Sequence, residues 1–142
     1  MEGDLKTRVA INGFGRIGRN AFKIAFDRSD IEVVAINDLT DTKTLAHLLR
    51  HDSNYGTYQH KVGYDEENII VDDQKIRIYK QTDPALLPWG ELGIDVVIES
   101  TGFFVDRAKA RAHIDPAGAK KVVISAPAKG EGATTIVLGV NE

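Results

Sequence analysis

Apolar residues fall along the chain in short β-branched runs separated by stretches at helical spacing. VAIN (Val9–Asn12) and IEVVAIND (Ile31–Asp38) read as buried strands, as do IDVVIES (Ile94–Ser100), KKVVIS (Lys120–Ser125) and TTIVLG (Thr134–Gly139). Between the first two, Ile17, Ala21, Ile24 and Ala25 recur at helical spacing with Phe22 and Phe26 beside them, which predicts a helix to about Asp27 with a wide apolar face. A shorter helix is expected to open at Thr42 or Thr44, run through Leu45, Leu48 and Leu49, and end at the polar cluster DSNYG (Asp52–Gly56). A third is expected from about Asp106 to His113. From Tyr58 to Tyr79 the rhythm changes: Ile69–Val71 and Ile76–Ile78 flank the acidic turns DEEN and DDQ, reading as antiparallel hairpin strands inserted into the sheet. The expected fold class is α/β, a doubly wound parallel sheet covered on both faces with an inserted antiparallel hairpin.

The most informative junction is AINGFGRIGR (Ala10–Arg19), where a strand gives way to a helix through Gly13, Gly15 and Gly18. In a dinucleotide-binding turn the first glycine permits the tight turn, the second lets backbone approach a pyrophosphate, and the third lets the helix pack closely. The helix N-terminus then offers unpaired N–H groups and a positive dipole end to the anion. A bare GxGxxG is a weak signal, and an ordinary turn is the competing reading. Here a strand precedes the turn, a helix follows, and the second strand ends in Asp38 about 20 residues on, where a carboxylate can accept both ribose hydroxyls of an adenosine. Gly13 and Gly18 also have the GxxxxG spacing of a phosphate loop. Arg19 and Asn20 follow where that loop needs Lys and Ser or Thr, so the kinase-like reading is discarded.

With 142 residues, 42% of them hydrophobic, the chain suffices for one domain with a real core. A net charge of −3 without a basic stripe argues against nucleic acid as a partner. No apolar run approaches 18 residues and MEGDLKT does not resemble a signal peptide, so the expectation is a soluble, cytoplasmic protein with no membrane partner. The chain has no cysteine, which removes disulfides, thiolate metal sites and any thiol nucleophile of its own.

Other constellations are weaker. His47 and His51 stand i, i+4 in HLLRH, but the Glu of HExxH and a third ligand are missing, so they read as surface or packing residues and no metal is assigned. The acidic runs Asp65–Glu67 and Asp72–Asp73 read as solvated turn charge rather than paired catalytic carboxylates. Ser100, Thr101 and Gly102, and Ser125 of SAP, follow predicted parallel strands at their C-terminal ends, where ligands lie in open α/β sheets; capping of the next helices is the lesser alternative, and the two readings are compatible.

From Arg8 to Asn141 the chain resembles the cofactor domain of phosphorylating glyceraldehyde-3-phosphate dehydrogenase, through AINGFGRIGR, AIND, HDSNYG, TDP, PWG, ESTGFF, KKVVISAP and LGVN in order. The resemblance implies a Rossmann fold spanning residues 8–142 behind an N-terminal extension of residues 1–7, with NAD as cofactor. It implies that Arg16 and Ile17 meet the pyrophosphate by backbone and the nicotinamide by side chain, and that Asp38 holds the adenine ribose. Thr82, at a position usually basic in the family, would contact adenine through its backbone. Ser100, Thr101 and Gly102 would line the cofactor, with Ser125 near the nicotinamide end. Leu39 after Asp38 is what NAD-using members tend to show. The family's nucleophilic cysteine, activating histidine and phosphate-binding residues have no counterpart in these residues, so the catalytic domain is absent and no catalytic residue is assigned. A phosphosugar substrate and a homotetramer are implied only for the full enzyme.

Two other readings compete. Erythrose-4-phosphate dehydrogenase shares the fold, but its members tend to carry Glu where this chain has Asp38 and Cys-Thr-Gly where it has Ser100-Thr101-Gly102. A non-catalytic nucleotide-binding or interaction module would also suit a chain that has the glycine turn and lacks the nucleophile.

Overall fold

The computed structural model describes residues 6–51, 58–101, 110–128 and 132–139. In chain order the elements are β1 (Thr7–Asn12), α1 (Arg16–Phe26), β2 (Ile31–Asn37), α2 (Thr42–Arg50), β3 (Val62–Tyr64), β4 (Asn68–Val71), β5 (Gln74–Tyr79), β6 (Val96–Glu99), β7 (Lys121–Ala128) and β8 (Gly132–Gly139). Short 3-10 turns stand at Pro84–Leu86 and Arg111–His113. Only the end of the helix expected over 106–113 therefore lies among the described residues, and DSNYG lies outside them.

One eight-stranded sheet runs β3-β4-β5-β2-β1-β6-β7-β8. The five central strands, β5 to β7 in that order, are parallel. Because β1 pairs with β2 on one side and β6 on the other, the winding reverses beside β1, and a crevice opens beyond the strands' C-terminal ends there. The acidic turns fall where the alternation puts them. They do more than interrupt the sheet, however: β3, β4 and β5 form a meander whose last strand pairs in parallel with β2, so the insertion extends the main sheet. At the other edge β8 departs from the expected parallel rhythm. Only residues 129–131 separate it from β7, too few for a crossover, so it returns antiparallel.

Two apolar clusters cover the two faces. Phe14, Phe22, Leu45, Leu49 and Ile11 pack with Ile69 and Ile76 on one; Trp89, Leu87, Val97, Val122 and Ala10 pack on the other. Helix α1 meets the first cluster through Gly18, Phe22 and Ala25 at i, i+4, i+7. Ile24, expected on that face, is two residues from Phe22 and so about 200° around the helix; it is exposed. Helix α2 starts at Thr42 because the Asp41 carboxylate accepts the Thr44 N–H (2.7 Å); it buries Leu45 and Leu49 and leaves Leu48 partly exposed. His47 and His51 lie exposed on this helix end with their rings 4.8 Å apart.

Two features of the meander predict measurable effects. Its tight turn places Asp72 (φ 49°) and Asp73 (φ 73°) in the left-handed region, which disfavours side chains. Asp72 accepts the Lys61 N–H (2.9 Å), while Asp73 only turns the chain, so Asp73→Gly should raise stability by about 0.5–1 kcal/mol in denaturant unfolding. His60 bridges Asp72 (2.5 Å) and Asp27 (2.7 Å). Its hydrogen bond to Asp72, reinforced by Asp27, raises the imidazole above its ordinary value near 6.5, and backbone Lys61 together with His60 lowers the Asp72 carboxyl. Stability from the His60 shift is present below about pH 6.5 and is lost as pH rises through the raised value; that from Asp72 is present above about pH 4 and is lost in acid. The melting-temperature difference between wild type and His60→Asn should therefore be largest near pH 5–6 and shrink toward pH 9.

Candidate functional site

The glycine turn joins β1 to α1, and the three glycines do different things. Gly13 adopts φ 96° and donates its N–H to the Asn37 carbonyl (2.8 Å), extending the β1–β2 ladder one residue past β1. Gly18 sits so close to the turn that an added Cβ would lie 2.1 Å from the Gly13 carbonyl oxygen and 3.0 Å from Ser100 Oγ. Gly15 is the opposite case: it is the N-cap of α1, no side chain caps the helix, and an added Cβ would meet nothing within 4 Å. The helix start thus faces open space over bare backbone, which is what an approaching pyrophosphate needs.

That space is a cavity of about 530 Å³ whose walls include Gly13, Gly15, Asp38, Thr82, Ser100 and Thr101. Six residues predicted from sequence are thereby brought together. Each oxygen of Asp38 accepts one backbone N–H, from Phe14 (2.7 Å) and from Thr40 (2.9 Å). An ionised carboxylate has about four acceptor sites, so capacity remains for two hydroxyls. Ser100 donates its hydroxyl to the Gly13 carbonyl (2.7 Å), so it fixes the turn as well as lining the cavity. Thr82, exposed at the wall, follows Gln81, whose N–H and carbonyl are both held by the Asn37 amide (2.8 and 2.9 Å).

The other expected residues stand differently. Arg16 is exposed and Ile17 half-buried in the first turn of α1, beside the cavity but not among its walls. Gly18 packs beneath the turn rather than facing the cavity. Ser125 pairs with Thr135 in the β7–β8 ladder, and Gly102 lies outside the described residues.

Sequence reasoning missed the polar floor of the cavity. Asn12 and Asn37, each the last residue of its strand, are buried, and Asn37 Nδ2 donates to Asn12 Oδ1 (2.7 Å). Asn12 Nδ2 donates to Glu99 Oε1 (2.7 Å), and the Glu99 carboxylate also meets His113 Nε2 (2.7 Å), the Thr101 N–H (3.1 Å) and the Thr101 hydroxyl. Trp89 Nε1 donates to His113 Nδ1 (3.0 Å). The available signal was a polar residue ending each of three apolar runs, VAIN, AIN and VVIE. In parallel strands such residues align at one edge of the sheet, as the pairing of Asn12 with Asn37 and with Glu99 shows.

A parallel sheet with its crevice at the reversal point, a glycine turn at a helix N-terminus and an acid ending the next strand at the same cavity together define a dinucleotide-binding α/β domain. The family model described as glyceraldehyde 3-phosphate dehydrogenase, NAD binding domain, matches residues 7–107, and the chain belongs to that family. It is 59% identical to the glyceraldehyde-3-phosphate dehydrogenase of Thermotoga maritima, over 95% of this chain and 40% of that protein. With the same-named proteins of Borreliella burgdorferi and Geobacillus stearothermophilus it shares 58% and 53% identity, over 95% and 97% of this chain and 41% of each. The chain spans about two fifths of the length of the curated relatives it matches. Its cofactor is NAD. Among the described residues, no helix is long and apolar enough to cross a membrane.

The glycine geometry predicts opposite behaviour at two neighbouring positions. Gly18→Ala forces a methyl into backbone and should cost about 3 kcal/mol in urea unfolding. Gly15→Ala, which enters open space at an unstrained φ of −77°, should leave the unfolding curve within about 0.5 kcal/mol of wild type.

Proposed function

We propose that this chain is the cofactor-holding half of a phosphorylating glyceraldehyde-3-phosphate dehydrogenase, working in the cytoplasm within a homotetramer. The observation that carries the proposal is the open backbone wall at Gly15, set between the uncapped start of α1 and the Asp38 carboxylate. The adenine ribose hydroxyls would meet Asp38, and adenine would meet backbone near Thr82. The pyrophosphate would lie on the N–H groups of Gly15, Arg16 and Ile17, with the Gly13–Gly18 contact holding that helix start in place. The second nucleotide half would extend past Ser100, Thr101 and Gly102 toward Ser125, where the Ile17 and Arg16 side chains bound it.

NAD supplies a hydride acceptor when bound; the residues here orient it. In the whole enzyme the substrate would be glyceraldehyde 3-phosphate, its aldehyde carbon held by a thiol while it is oxidised and then passed to phosphate as the thiol leaves; these 142 residues, having no cysteine, do not contain that thiol. Binding and chemistry are therefore separable. Purified alone, the chain should bind NAD without forming NADH from aldehyde and phosphate, and NADH production at enzyme-like rates would refute this division of labour.

Cofactor choice tests the site. A 2′-phosphate would lie against the Asp38 carboxylate, and juxtaposed like charges cost several kcal/mol, with each 1.4 kcal/mol worth tenfold. Calorimetry should show NAD binding at least tenfold tighter than NADP, the gap narrowing in Asp38→Gly. Gly15→Val should abolish binding of both. Equal affinity for the two cofactors, or unchanged affinity in Gly15→Val, would contradict the assignment.

A further inference from the structure

Glu99 is a buried carboxylate on which hydrogen-bond donors converge, and the direction of three of those bonds is fixed from outside. The Gln81 backbone clasps Asn37 so that its Oδ1 accepts and its Nδ2 donates; Asn37 Nδ2 then makes Asn12 Oδ1 an acceptor, leaving Asn12 Nδ2 to donate to Glu99. On the other side, the indole of Trp89 can only donate, so His113 Nδ1 accepts and its Nε2 carries the proton that is given to Glu99. With Thr101 donating its N–H as well, the donors converge from both sides. At Asn12, His113 and the Thr101 N–H the Glu99 carboxylate thus meets only donors whose direction it cannot reverse.

We propose that Glu99 is a specificity-determining residue whose buried charge biases the site toward the oxidised, ring-cationic cofactor over the reduced one. The inference rests on the cofactor reading above. If Asp38 holds the adenosine half and the pyrophosphate lies at the start of α1, the dinucleotide crosses the reversal point and its second half extends over the ends of β6 and β7. Glu99 ends β6, paired with Asn12 of β1 on one side and Ile124 of β7 on the other. Thr101 both lines the cavity and bonds to this carboxylate, so it links Glu99 to the cavity wall on that side. The two redox forms differ by one positive charge on the ring and share everything else, so pyrophosphate repulsion cancels in their ratio. Glu99 is 1% exposed, so its charge is weakly screened.

The test titrates the full chain and Glu99→Gln by calorimetry with NAD+, NADH and ADP-ribose, which lacks the ring. Wild type should bind the oxidised form about tenfold tighter than the reduced form, and Glu99→Gln should cut that ratio to about threefold or less, whatever it does to ADP-ribose. A loss shared equally by all three ligands would mark a purely structural role and overturn the proposal. So would wild type binding NADH as tightly as NAD+, a result that does not depend on the variant folding. Wild-type chain that binds none of the three would instead refute the cofactor reading, and this inference with it.

Discussion

The structure depends on one backbone contact: helix α1 lies against the turn that launches it at a distance only a hydrogen atom allows. Gly18 sits under the Gly13 carbonyl, and that same oxygen accepts the Ser100 hydroxyl from the end of β6. Three elements are thus tied at one point. The helix cannot move closer without backbone overlap, and the Ser100 bond holds the turn against the end of β6. Its N-terminus is held aimed across the crevice where the sheet's winding reverses. Gly15 contributes by leaving that aim unobstructed.

Around this point the ends of the parallel strands carry polar groups, although the strands themselves are apolar on both faces. Asn37, Asn12 and Glu99 form a hydrogen-bonded row across β2, β1 and β6, extended by His113 and Trp89 beneath. Burying such groups is costly unless each is satisfied, and here the donors and acceptors match throughout the described network. The row holds Gln81 on one side of the cavity and Thr101 on the other, so the walls are fixed by the floor rather than by their own packing. Asp38 stands above it, oriented by two backbone N–H groups rather than by a cation.

Much of this was legible in the sequence because it rests on local signals. Gly13, Gly15 and Gly18 with Asp38 at the end of the next strand predicted both turn and cavity, and the β-branched runs predicted the strands. What stayed hidden is non-local. Whether β5 joins β2 or stands apart depends on partners more than thirty residues away, and the direction of β8 follows from connection length rather than from its own residues. Ile24 read as core because helical spacing fixes a stripe only to within its width; packing of Phe22 against Phe14 settles which edge is buried. His113 and Trp89 carry no local sign of their meeting, being separated by 24 residues and an intervening strand.

The proposed site lays a dinucleotide along the glycine turn with its adenosine end at Asp38. Amide chemical-shift mapping of the isotopically labelled chain during titration with NAD tests it most directly. Saturable shifts are expected at the amides of Gly13–Gly18, at Asp38 and Thr82, and at Ser100 and Thr101, with the β3–β4 edge unmoved. Saturable shifts confined to the meander or to α2, with the glycine-turn amides unchanged, would contradict it.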